Sequence, residues 1–545
     1  MSSTPLAAAT PVAEAPDKGL ERNALGLGRI VALGLAAVAP AYSLAVTLGY
    51  VVGAVGVQTP AAFLLGFVPI LFTAFAFRDL NRAMPDCGGV FVWISRALGP
   101  FAGWFFGGWV PQVATFIATA ALAQVATVYL LASVGLEAIA ENPVATVSIA
   151  VGLIALSAAI AVRGIQLAAW VQYALIALQV VAIGGFCWGA FSAMAAGTAP
   201  STGEPVSLSW FNPFAVDDPA GLVAGVILCL FIYWGWDALI SVNEETKHRS
   251  STPGRAVVIS TVILLVLYCG ASVAALGFGG VDLITSDAAI DDVLSVLGPQ
   301  ATGDLFGRVI TVAIGLSALA ALFTVAVSTP RTWLSMATYR ALPAAVGRVH
   351  PAHRTPHVAT YWWAGLSIAT IVALTLASSD FIGLAILAIG LMVAAYYAVT
   401  AIAAIVYFAP DLRRGPGTLV IAGILPALGA LLMIVAFVAS AVDMAGPEYV
   451  GESILGVGTV FWIGVGALLL GIVVTLVLRP VFPEFFSRRV IPVGTVRDHD
   501  FVIADPADAA GAADPAAAVT ATDADATAGA ESTAINPVEP TREER

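Results

Sequence analysis

Midway along the chain, Phe231-Ile232-Tyr233-Trp234-Gly235-Trp236-Asp237 places a carboxylate two residues after a glycine. The run sits inside a stretch, 220–242, that is otherwise apolar enough to cross a bilayer. A charge at that depth costs roughly 3 to over 10 kcal/mol, so such residues face a cavity or a partner and mark a route for something polar. Asp237 is a group that can carry a proton or hold a cation. Gly235 offers the place where the helix can open beside it, and unwound carbonyls there suit an ammonium group. Tyr233, Trp234 and Trp236 are the side chains to cover a bound solute. A second stretch is interrupted in a similar way, at Ala39-Pro40-Ala41-Tyr42-Ser43. Pro40 removes a backbone donor and clashes with the preceding turn. The segment Ala39, Pro40, Ala41, Tyr42 and Ser43 is therefore expected to turn backbone groups and the Ser43 hydroxyl toward the same solute. A half-helix N-terminus suits its anionic end.

The elements that position these residues follow from composition. The chain has 545 residues, 59% hydrophobic and 11% charged, where a soluble protein carries about 25% charged residues. About 20 apolar residues span the hydrocarbon core. Twelve such stretches are expected, at about 30–53, 60–78, 101–131, 143–162, 168–194, 220–243, 256–279, 308–338, 358–377, 381–408, 417–442 and 455–478. The chain thus reads as an all-α integral membrane protein. Loops after even-numbered stretches carry the basic residues: Arg78, Arg82 and Arg96, then Arg163, then Lys247, Arg249 and Arg255, then Arg340, Arg348 and Arg354. Alternate loops carry acids such as Glu137, Glu204, Asp287 and Glu448. The positive-inside rule then puts both termini in the cytoplasm. The two interrupted stretches lie five apart. That odd offset gives them opposite orientations, as an inverted repeat of five helices requires, and paired interruptions point to a binding site. Two shorter amphipathic segments are expected in the loops. One, carrying Val90, Phe91, Ile94, Ala97 and Leu98, reads as an interfacial helix inside. The other, 282–297, has Ile284, Ile290, Val293, Leu294 and Leu297 on one face and reads as a cover over the outer mouth.

Other classes of function find no support in the residues. Cys87, Cys187, Cys229 and Cys269 have no metal-ligand spacing. All five histidines fall in expected cytoplasmic segments, with no nucleophile and base placed together. No phosphate-cradling motif or cleavable signal peptide is evident. Of the net charge of −12, the stretch 498–545 holds eleven Asp/Glu against two Arg. It has too few apolar side chains to order itself and is expected to be disordered. The rest is nearly neutral, which argues against nucleic acid as a partner. The expected organisation is a cytoplasmic N-terminal segment 1–28, a membrane domain 29–479 and a largely disordered cytoplasmic segment 480–545. Within the membrane domain, repeat 1 covers about 30–194 and repeat 2 about 220–408, with peripheral helices at about 417–478.

Three motifs in order resemble the amino acid–polyamine–organocation (APC) permeases. The first is Pro85-Asp86-Cys87-Gly88-Gly89-Val90-Phe91 leading to Gly99-Pro100. The second is Gly235-Trp236-Asp237, Glu244-Glu245-Thr246 and Thr252-Pro253-Gly254-Arg255. The third is Arg331-Thr332-Trp333-Leu334-Ser335, Ala341-Leu342-Pro343 and Arg354-Thr355-Pro356. The resemblance runs from about Gly28 to His357. It implies a LeuT-type fold of two inverted five-helix repeats with the solute between unwound parts of helices 1 and 6. It implies secondary transport of amino acids by alternating access, proton-coupled or exchanging, with polyamines or other organic cations as the alternative. It gives Asp237 a proton-coupling role, and makes Glu244, Glu245 and Arg331, with Lys247 nearby, ion-pairing groups of an inner gate. No enzymatic activity, metal or cofactor is implied beyond a coupling ion, H⁺ or Na⁺. The partners implied are the small solute and the bilayer. One departure concerns helix 5, where some relatives carry a lysine in place of sodium; this chain has Gln179. Ser317, Thr324, Ser328 and Thr329 leave a sodium site open.

Overall fold

The computed structural model describes residues 17–216, 218–377, 381–447 and 453–494. The disorder expected for 498–545 lies outside them. Among the described residues, eleven helical stretches are long and apolar enough to cross a membrane. The first, Leu27–Ala83, has 57 residues. At 1.5 Å per residue that is about 85 Å of helix against a hydrocarbon core of about 30 Å. It is broken into α1 (Leu27–Val38), α2 (Pro40–Val55) and α3 (Thr59–Ala83), with a tight turn at Gly56–Gln58 between the last two. One stretch therefore supplies the residues expected of the first two spans.

The chain continues through the short α4 (Val90–Leu98) and the long α5 (Pro100–Ser133). Next come α6 (Pro143–Arg163), α7 (Ile165–Ala196) and α8 (Pro219–Ile232). A ten-residue 3₁₀ segment, Trp236–Glu245, follows α8. Then come α9 (Thr252–Ile284), α10 (Val293–Thr302), α11 (Asp304–Thr338), α12 (His357–Ala377) and α13 (Phe381–Phe408). Last are α14 (Pro416–Ala445) and α15 (Thr459–Leu478), the latter preceded by a two-residue hairpin pairing Ser453 with Gly458. The most apolar window of α11 is 67% buried in protein and that of α15 only 22%. α11 is therefore a central helix and α15 an outer one.

Two loop expectations change. α4 is not an interfacial helix. Phe91 through Ala97, Arg96 included, are all buried. The helix packs against the start of α5 and against α13, and the chain beyond α15 adds to the cover: Phe485 stacks on Phe91 at 5.3 Å, and Arg96 donates to the Pro492 carbonyl at 3.1 Å. Residues 480–494 thus include packed structure, with Phe485 and Ile491 at 0% and 1% exposure. On the acidic-loop side, the helix expected within 282–297 is shifted to Val293–Thr302. Asp292 caps it by accepting from Ser295 N–H, and α9 runs on to Ile284 past a kink at Gly280. Ile284, Val293, Leu294 and Leu297 are buried, while Ile290, expected on the same face, is half-buried. Tyr50 and Tyr129 donate to Asp291 and Asp292, which draws this segment over the ends of α2 and α5.

Candidate functional site

Both expected interruptions are real breaks. Between α1 and α2, Ala39 adopts a left-handed conformation at φ 52°, which costs a non-glycine residue roughly 1–2 kcal/mol. Pro40 then starts α2, where its missing N–H is harmless. Between α8 and the 3₁₀ segment, Gly235 sits at φ 116°. The two breaks touch there: a Cβ on Gly235 would lie 2.7 Å from the Ala37 carbonyl oxygen. A ten-residue 3₁₀ run is long for that geometry and often marks a hinge.

Backbone groups freed at the breaks are taken by side chains, as a membrane interior requires. Ser43 Oγ donates to the Val38 carbonyl at 2.7 Å, and the Tyr268 hydroxyl donates to the Ile232 carbonyl at 2.9 Å. Tyr42 N–H donates to Ser317 Oγ at 3.3 Å, and Ser317 Oγ donates to Gln179 Oε1 at 2.7 Å. Gln172 donates to Thr324 Oγ1 and to the Ala320 carbonyl. Thus Gln179, at the helix-5 position singled out in the sequence, ties α7 and α11 to the start of α2.

Beside the breaks lies a cavity with about 800 Å³ of space between protein atoms, counting the solvent at its mouth. Its lining includes Ala37, Trp234, Gly235 and Asp237, the polar Gln112, Thr115, Ser328, Thr329 and Thr332, and Gly88, Gly89 and Ser241. Asp237 is the one charged group among these lining residues. Its carboxylate accepts from the Tyr396 hydroxyl at 2.8 Å and the Tyr397 hydroxyl at 3.1 Å, while Trp234 Nε1 donates to Tyr396 at 2.7 Å. Trp333 Nε1 holds Gln112 by its Oε1 at 2.9 Å. The arrangement presents one carboxylate, an indole and a hydroxyl-rich face to a small polar solute.

The decisive comparison is over the whole membrane region: the family described as Amino acid permease matches residues 25–478. This chain belongs to that family. It is thereby an APC superfamily protein, as the motifs implied. Among individual relatives, the low-affinity putrescine importer PlaP of Escherichia coli is 27% identical over 248 residues, covering 44% of this chain and 51% of that protein. The branched-chain amino acid permease BcaP of Lactococcus lactis is 26% identical over 238 residues, 42% of this chain and 50% of that one. The serine/threonine exchanger SteT of Bacillus subtilis is 27% identical over 147 residues, 27% and 33% of the two chains. The chain spans about half the length, or less, of these curated relatives.

Within this permease, the expected site residues separate into two groups. Trp234, Gly235 and Asp237 line the cavity. Ala39, Pro40, Ala41, Tyr42 and Ser43 are buried at the break but do not line it, and Ser43 spends its hydroxyl on Val38. Tyr233 and Trp236 are fully buried. Tyr233 packs between Phe67 and Tyr268, and Trp236 against Phe77 and Tyr397. Glu244, Glu245 and Arg331 all form ion pairs, one within the expected set and one to a lysine outside it. Arg331 grips Glu245 through two nitrogens, one at 2.8 Å, and both side chains are buried. Glu244 pairs with Lys18, while Lys247 is exposed. Sequence reasoning missed Tyr396, Tyr397, Gln112, Thr332 and Lys18. A Tyr-Tyr pair in an otherwise apolar span was the one signal available.

Proposed function

We propose that this permease is a secondary transporter of amino acids, proton-coupled or exchanging, working by alternating access in the cytoplasmic membrane with both termini inside. The observation that supports this best is the meeting of two broken helices beside a cavity whose single charged lining group is Asp237. Half-helices give the rigid bodies on either side room to rock about the solute. In this reading the two repeats are about 30–194 and 220–408, the helices at 417–478 are peripheral, and Glu244, Glu245 and Arg331 belong to the inner gate. Asp237 is the proton-coupling group, and H⁺ or Na⁺ is the coupling ion. A second reading, a carrier of polyamines or other organic cations, is favoured by the lining itself, which offers a carboxylate and no cationic side chain.

The test is a stabilisation screen of purified protein against amino acids and amines, followed by uptake into vesicles. A ligand at a hundred times its dissociation constant should stabilise the fold by about 2.7 kcal/mol. If no amino acid or amine stabilises the protein or enters vesicles, the proposal fails. Orientation has its own test in a cysteine-free background. Cysteine at Ala288, exposed beside Asp287, should react with an impermeant thiol reagent added outside intact cells, and cysteine at Lys247 should not. The reverse pattern would invert the topology.

A further inference from the structure

Lys18 lies outside the membrane helices, yet its side chain is fully buried. Its ammonium stands 2.8 Å from Asp86 Oδ2, 2.5 Å from Glu244 Oε1 and 5.6 Å from the centre of the Tyr339 ring. Asp86 also accepts from Ser335 Oγ at 2.6 Å, the Tyr339 hydroxyl at 2.7 Å and Gly88 N–H at 2.7 Å. Glu244 also accepts from Cys87 N–H at 2.9 Å. Burial is the largest single influence and pushes the Lys18 ammonium toward its neutral form, but Asp86, Cys87, Glu244 and Tyr339 together outweigh it and hold the pKa well above the usual lysine value. Two carboxylates and an aromatic face are the groups that recognise an ammonium.

The position of this cluster matters as much as its chemistry. Gly88 and Thr332 line the cavity, and one turn further along α11 Ser335 binds Asp86. The cluster therefore lies directly beside the part of the cavity lined by Gly88 and Thr332. The group that fills it comes from a non-helical stretch, residues 17–26. That stretch is tied on by Leu25 N–H donating to the Glu245 carbonyl and Lys247 N–H donating to the Leu25 carbonyl. Leu20 packs over Cys87 and Leu334, and Cys87 is fully buried beneath it.

We propose that Asp86, Glu244 and Tyr339 form a primary-ammonium site at the cytoplasmic end of the cavity. Lys18 of the N-terminal segment fills this site to hold that end shut, and the site admits a free alkylammonium when the segment withdraws. The proposal rests on the transport reading only for the direction of the route. The physical basis of the lock is the asymmetry of buried ion pairs. Intact, the Lys18 ammonium offsets one of the two buried carboxylates and stands between both. With Lys18 gone, two carboxylates are left without a counter-charge, and the pocket must admit water or another cation.

Cys87 is the reporter. With Cys187, Cys229 and Cys269 changed to alanine it is the single thiol in the chain. In purified protein its reaction with a maleimide should be slow. Lys18→Ala should speed the reaction about tenfold or more, because a buried pair has lost one partner. The atoms removed beyond Cβ are those of n-propylammonium, so n-propylammonium chloride should slow labelling again. Tetramethylammonium, which donates no hydrogen bond, should not. Unchanged labelling in Lys18→Ala overturns the lock. Faster labelling that n-propylammonium does not reverse overturns the ammonium site. Should Lys18→Ala fail to fold, Lys18→Met with Asp86→Asn leaves the net charge of the cluster as it was, and unchanged Cys87 labelling in that protein overturns the lock equally. These readouts need no uptake, so failure of the lock and failure of the transport reading are separable.

Discussion

Replacing Asp237 by asparagine is expected to reduce uptake sharply while leaving the folded helix bundle in place. The substitution keeps the size of the side chain. It also keeps an oxygen to accept from Tyr396 and Tyr397, the two hydroxyls that hold the carboxylate. What it removes is the one charge lining the cavity. Hydrogen bonds to a charged group contribute about 1.5–3 kcal/mol and neutral ones about 0.5–1.5, so the stability change should stay near 1–2 kcal/mol. The effect on transport depends on what the charge does. If Asp237 carries the coupled proton, as proposed, the variant binds substrate normally and its residual uptake no longer varies with pH. If instead the carboxylate pairs with a cationic substrate, losing it costs about 2–5 kcal/mol, or roughly thirtyfold or more in affinity for amines at every pH. Neutral solutes would then be affected less. Binding measured by stabilisation, together with uptake across a pH series, separates the two. Wild-type uptake with an unaltered pH profile would remove Asp237 from the mechanism.

The same residue shows what a single sequence carries and what it does not. Asp237, Gly235 and Pro40 were legible because each contradicts its surroundings: a charge, a glycine and a proline in runs that should be uniform apolar helix. The spans were legible as apolar length, and most start or end within a few residues of the helices formed. The partners of Asp237 were not legible. Tyr396 and Tyr397 lie about 160 positions away on α13, and only tertiary packing brings their hydroxyls to the carboxylate. Facing direction was also hidden. Where α8 ends and the chain turns at Gly235, Tyr233 and Trp236 pack into the protein, and of the three aromatics Trp234 alone lines the cavity. For α4, the periodicity correctly gave a helix with Phe91 and Ile94 on one face. Nothing local said that Phe485, nearly 400 positions later, would stack on Phe91 or that the Pro492 carbonyl would accept from Arg96. Lys18 was hidden for a related reason. A lone lysine in a polar, alanine-rich start reads as solvated until two carboxylates from distant loops are seen around it.

The largest stability effect is expected at Arg331. Its guanidinium and the Glu245 carboxylate are both buried, at 1% and 0% side-chain exposure, in a two-pronged contact. A further bond runs from Arg331 Nη1 to the Val327 carbonyl one turn back on α11. Removing one partner of such a pair leaves the other charge buried and uncompensated, which costs about 3–5 kcal/mol. Arg331→Met should therefore destabilise the protein by that amount, measured by unfolding in detergent. Arg331→Met with Glu245→Gln removes both charges together and should recover at least about 2 kcal/mol of the loss, since replacing a whole buried pair is often nearly neutral. The pair joins α11 to the C-terminal end of the 3₁₀ segment, and the Arg331 carbonyl also accepts from Cys87 Sγ at 3.3 Å, so it stands next to the Lys18 cluster. In the proposed cycle that face must separate, and the pair must then be broken or carried over intact. A double variant that regains stability yet transports slowly would mean that the pair sets the balance between closed and open forms. One that regains both would mean that it serves folding alone. A single Arg331→Met variant within about 1 kcal/mol of wild type would show that the charge left on Glu245 is neutralised by a proton or by water, and that the pair does not hold this end of the molecule together.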